Sequence, residues 1–177
     1  MTQKRPQKSE YADFYDKYVA LVPGGDFLEI LEEQHATLLR LLSPLTEEQA
    51  NFRYAPGKWS IKEVVGHISD AERIFAYRLL RIARGDQTPL ASFDQDSYIT
   101  TGNFPARTLS DLLEEFSAVR KASIALVRSL DEKAWMRRGT ASQKEITPLA
   151  LGFIIAGHER HHRMILEERY LPALPRG

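Results

Sequence analysis

Apolar residues recur at intervals of three and four through four long stretches of the chain, the period of a helix with one face turned inward. The first stretch opens at Asp26, an N-cap residue, and carries Phe27, Leu28, Leu31, Leu38, Leu42 and Leu45. The second opens at Ser60, which forms a capping box with Glu63, and runs through Ile61, Val64, Val65, Ile68, Ala71, Phe75, Leu79 and Ile82. Arg81 and Arg84 suit the negative end of that helix, and Gly85 supplies a left-handed cap. The third follows Thr108, with Leu109, Leu112, Leu113, Phe116, Val127 and Leu130 inward. The fourth spans residues 147–170: Thr147 is its N-cap, Pro148 its first helical residue, and Pro172 and Pro175 close it.

The connecting segments lack this period. Residues 4–10 read as a loose tail and residues 11–21 as a short helix, which Pro23-Gly24-Gly25 separates from the first long one. Short helical turns are expected at 46–49 and 131–135, and a polar loop at 139–145. Residues 87–105 form a long connection with a helical turn near 94–99; such a loop is either functional or simply the crossover a bundle needs. With no convincing strand, the pattern specifies an all-α four-helix bundle with a long loop between its second and third helices. Residues 1–25 are a tail and short helix, 26–171 a single domain, and 172–177 a second tail.

Composition narrows the function by exclusion. The 24 basic residues balance the 24 acidic ones, so no electrostatic footprint for nucleic acid is expected. There is no cysteine, which removes disulfides, thiolate metal sites and a cysteine nucleophile. The first ten residues are polar and basic, unlike a signal peptide, and no run approaches the ~20 apolar residues that span a bilayer. A cytoplasmic protein without a membrane or nucleic-acid partner is the expectation.

The fourth helix breaks its own pattern. His158 and His162, four apart, share the face of Leu151, Ile154, Ile155 and Ile165, so two imidazoles stand within an apolar stripe. Either they are core histidines satisfied by neighbours, or they are two arms of a metal chelate, for which this spacing is well suited. A third ligand would decide between them. His67 lies at the border of the second helix's stripe, where a residue can reach a site near a solvent opening; His35 reads as a boundary histidine of the first.

Three segments carry a family resemblance. Pro56-Gly57-Lys58-Trp59-Ser60, then Val65-Gly66-His67-Ile68-Ser69-Asp70-Ala71-Glu72-Arg73, and later Ala156-Gly157-His158-Glu159-Arg160-His161-His162, resemble the DinB-like (YfiT-like) superfamily of metal-dependent hydrolases and thiol transferases. The likeness runs from about Phe27 to Tyr170 and includes Asp94-Gln95-Asp96 and the Trp135 turn. Many members carry Gly-Gln where Arg163-Met164 follow His162 here, so the sequence is nearer the subgroup with His-His at that point.

The resemblance implies a four-helix bundle, often dimeric, with His67, His158 and His162 as ligands of a divalent metal: zinc or nickel first, iron or manganese next. It implies a small-molecule substrate, with a low-molecular-weight thiol or water activated for transfer or hydrolysis. Asp70, Glu159 and His161 are then the candidates for orienting imidazoles or shuttling a proton, and Tyr54, Trp59 and Arg73 for lining the mouth. A non-catalytic, stress-associated metal-binding or interaction protein would use the same three histidines.

Overall fold

A computed structural model describes residues 4–175; the outermost tail residues expected at 1–3 and 176–177 lie outside the described residues. In chain order the elements are α1 (Asp16–Val19), α2 (Phe27–Leu42), α3 (Glu47–Ala50), α4 (Ile61–Ala83), α5 (Gln95–Thr101), α6 (Leu109–Arg128), α7 (Glu132–Trp135), the strands β1 (Gly139–Ala141) and β2 (Lys144–Ile146), and α8 (Pro148–Ile165). The long helices α2, α4, α6 and α8 make the expected bundle, with α4 packed on both α6 and α8.

The caps lie where the residues called for them. Asp26 accepts from the amides of Leu28 and Glu29, Thr108 from that of Asp111, and Thr147 from that of Ala150. Ser60 accepts from the Glu63 amide at 3.2 Å, while Glu63 accepts from the Ser60 amide at 2.6 Å, closing the capping box. Gly85 takes φ +84°, the left-handed turn that ends α4.

Four local expectations are corrected. The polar loop at 139–145 is a two-stranded antiparallel hairpin, turned by Ser142 and Gln143, both at positive φ. That geometry is usually advertised by Asn-Gly or Asp-Gly, and here it is not. Residues 11–21 hold only a 3₁₀ turn and the single α-turn of α1. α8 stops at Ile165, and a π-helical segment, Leu166–Tyr170, continues it. Finally, residues 61–69 of α4 and 148–159 of α8 are buried all round rather than along one stripe. Neighbours cover every side: α1, α2, α4 and α7 pack on α8.

The apolar core falls into two lobes. One gathers Phe75, Leu79 and Ile82 of α4 with Leu151, Ile154 and Ile155 of α8. The other gathers Leu38, Leu42, Ile61, Val65, Ile68 and Phe116, with Leu166 just beyond α8. Along α8 the chain passes from one lobe to the other across His158 and His162, and along α4 the change falls between Ile68 and Ala71, just beyond His67.

Candidate metal centre

His67 from α4 and His158 and His162 from α8 converge at that boundary. One imidazole nitrogen from each lies within 4.8 Å of the others, the one such group of three among the described residues. His67 Nε2 and His158 Nε2 stand 3.0 Å apart. Two nitrogens bound tetrahedrally to one ion at ~2.0–2.1 Å are ~3.4 Å apart, so the spacing suits a shared divalent ion. His67 is only 4 % exposed, against the expectation of a border position; the rings of Trp59, His158 and His162 pack around it.

Two glycines make this convergence possible. A Cβ on Gly157 would stand 2.0 Å from the carbonyl oxygen of Tyr18, and one on Gly66 2.3 Å from the ring of Phe104. Each glycine immediately precedes a converging histidine. Without side chains there, α1 reaches the backbone of α8, and the Tyr18 ring lies edge-on to His158 at 5.2 Å. Phe75 contacts the same imidazole at 5.6 Å, and Trp59 contacts His67 at 4.8 Å and stacks on His162 at 6.4 Å.

This apolar surround sets the charge state. Burial pushes His67 down to about 4, with the charge of His161 adding to the effect. Burial also pushes His158 and His162 well below the ordinary imidazole value, helped by the neighbouring histidines and Lys17. All three rings are neutral at pH 7, the form that offers lone pairs to a cation.

The other sequence candidates divide. His161, half-buried, faces the Tyr18 ring at 5.4 Å and the His162 ring at 5.1 Å. Asp70 pairs with Arg73 at 3.3 Å, and Arg73 reaches on to Glu115, so neither residue is turned toward the histidines. Tyr54 packs on Tyr170, whose hydroxyl donates to the Trp59 carbonyl at 2.7 Å. Of the expected mouth residues, only Trp59 touches the cluster. His35 hydrogen-bonds Ser117 at 2.9 Å as a boundary residue would.

Glu159 is fully buried. Its Oε1 accepts from Arg163 at 3.2 Å, its Oε2 has no partner, and burial pushes its carboxyl up to about 7. It belongs to a buried polar network behind α8. Arg120 donates to Glu72 Oε2 at 2.8 and 3.1 Å and to Gln34 Oε1 at 3.1 Å, and Gln34 donates to the Ala156 carbonyl at 2.9 Å. The network thus holds the backbone two residues before His158. Its signal was readable, since Arg120 follows Phe116 by four and precedes Val127 by seven, a charge set in an apolar stripe.

In front of the histidines lies a cavity of about 440 Å³, walled by Tyr15, Tyr18, Phe75, Phe93 and Arg78 and floored by His67 and His158. A larger groove, about 770 Å³, runs between α2 and α6 and includes none of the three histidines.

A four-helix bundle whose core is interrupted by three converging, neutral imidazoles, two of which floor a cavity, belongs to the class of bundles that build sites between helices. The sequence matches the profile of the DinB superfamily over residues 30–166, and the chain is a member of that family. It is 32 % identical over 125 residues to a Bacillus licheniformis protein, covering 67 % of this chain and 68 % of the relative. It is 26 % identical over 141 residues to "Putative metal-dependent hydrolase YfiT" of Bacillus subtilis, covering 77 % and 78 %. The solved YfiT structure, described as having an unusual four-helix bundle topology, superposes with a TM-score of 0.74 at 21 % identity, covering 94 % of this chain and 91 % of that one. A mycothiol-dependent maleylpyruvate isomerase superposes at 0.64 with 14 % identity, covering 84 % and 63 %. The fold expected from the sequence is therefore the fold observed.

Proposed function

We propose that this protein is a divalent-metal-dependent enzyme that acts on a small molecule, with His67, His158 and His162 as the metal ligands and a low-molecular-weight thiol or water as the activated reactant. One observation carries the reading: three neutral imidazoles from two helices meet beside a cavity, with no carboxylate among them. The names of the curated relatives support a metal-dependent hydrolase, and the isomerase neighbour supports a thiol. Imidazole donors favour zinc or nickel, then iron or manganese, over calcium or magnesium.

When bound, such an ion supplies Lewis acidity that brings the pKa of water or a thiol toward neutrality. The chain's residues do the rest. Trp59, Tyr18 and Phe75 hold the imidazoles in place and keep bulk water from their flanks. His161, half-exposed beside His162, accepts and returns the proton at a ring nitrogen. Asp70 is committed to Arg73 and Glu159 lies in the network behind α8, so we give neither that role. Pairing of two copies, implied by the family resemblance, and the cytoplasmic location expected from the sequence complete the reading.

Elemental analysis of protein purified without an affinity tag tests it. About one divalent ion per chain is expected, lost in the double variant His158→Ala, His162→Ala. Stoichiometric metal that persists in that variant refutes the ligand set.

A further inference from the structure

We propose that the cavity in front of the three histidines recognises a small organic carboxylate with an unsaturated or aromatic body, held by Arg78. The proposal names the substrate class of the site described above and so rests on that reading.

Two arginines are among the largest fully buried side chains, and their surroundings differ. Arg120 has the Glu72 carboxylate against it. Arg78, 2 % exposed, has no carboxylate within ion-pair distance among the described residues; its partners are all neutral. Its Nη2 donates to the Ala91 carbonyl at 2.6 Å and to Ser142 Oγ at 3.0 Å, and its Nη1 donates to the Tyr15 hydroxyl at 3.5 Å. A guanidinium presents five N–H groups, so these contacts leave Nε–H and one Nη1 hydrogen without a protein acceptor. A buried cation with neutral partners is costly unless an anion joins it. The two-oxygen fork of a carboxylate is the group that matches guanidinium geometry.

Position and walls agree. Arg78 follows His67 by eleven residues, three turns, so both lie on one face of α4 and line the same cavity. The volume is that of a small-ligand site, and the rings of Tyr15, Tyr18, Phe75 and Phe93 suit a flat, unsaturated body. The other charges on the lining are the exposed Lys17, which adds positive potential, and Asp94, whose carboxylate accepts from the Asp96 amide at 3.0 Å as the cap of α5.

Arg78 also ties the connection before α5 and the hairpin to α4, so Arg78→Gln can loosen the fold. Ser92→Asp is the companion variant: it leaves Arg78 in place and sets a competing carboxylate on the exposed cavity wall beside Ala91. Calorimetry on the full chain, zinc-loaded and chelator-treated, compares benzoate with benzamide, and mercaptoacetate with 2-mercaptoethanol. The two pairs cover a carboxylate carried by the electrophile and one carried by the thiol. We expect at least one carboxylate to bind ten-fold or more tightly than its neutral counterpart, with and without zinc, and both variants to abolish the difference. Equal binding of charged and neutral members in both pairs overturns the proposal. So does a preference that requires zinc and survives Ser92→Asp, because the carboxylate is then on the metal. A preference that persists in protein unable to take up metal leaves Arg78 as the anchor and refutes the metal-enzyme reading instead.

Discussion

At the scale of single residues, the three histidines are neutral because the fold denies them water. Their folded-state values lie below the ~6.5 of an unfolded chain, so below that pH the unfolded state binds protons that the folded state resists. Stability of the metal-free protein is therefore unaffected by these groups above pH ~6.5. It falls as pH drops through the window from there to about 4, the value for His67. For His67 alone the loss is of the order of 3 kcal/mol at the bottom of that window. Urea titrations of metal-free protein between pH 8 and pH 4 check this. A steeper acid loss in the wild type than in His67→Phe is expected, and parallel pH profiles of the two would contradict it.

At the scale of elements, the cluster depends on how closely α1 approaches α8. Gly157→Ala places a methyl group 2.0 Å from the backbone oxygen of Tyr18, and backbone cannot swing aside as a side chain can. Displacement of α1 at roughly 1–3 kcal/mol, the usual range for overpacking, is the expected outcome. The Tyr18 ring would then leave His158, and metal affinity would weaken although every ligand remains. Denaturation midpoints together with zinc competition titrations read both effects; unchanged values in both contradict the close approach described here. Gly66, under the Phe104 ring, is gentler ground, because a side chain can turn away.

At the scale of the whole molecule, the two apolar lobes hold the bundle without help from an ion. A chain of 177 residues buries enough surface for this, unlike a zinc finger. Chelation is expected to leave helicity intact at room temperature and to lower the melting temperature only by the free energy of the lost metal binding. Circular dichroism of the chelated protein checks this, and collapse of the helical signal would make the ion a structural staple. Light scattering on the same samples reads the pairing: about twice the 20.2 kDa of one chain is expected, and 20.2 kDa removes the dimer. Among the described residues no helix is long and apolar enough to cross a membrane.

The sequence by itself determined the four bundle helices, their caps and the turn at Gly85, because these depend on residues within one or two turns of each other. It marked His158 and His162 through their i,i+4 spacing in an apolar stripe, which is equally local. It under-read the hairpin, whose positive-φ turn is built on Ser142 and Gln143 rather than glycine. What only the tertiary structure decided is everything that depends on which faces meet. Periodicity placed His67 at a border; the packing of α4 among its neighbours buried it. The resemblance offered Glu159 as a proton shuttle, but the packing of α8 buried it and α4 and α6 brought the charges of Glu72 and Arg120 to act on it. The difference between Arg120 with a carboxylate and Arg78 without one is invisible in either helix alone, since an arginine's partner is set by chain segments tens of residues away.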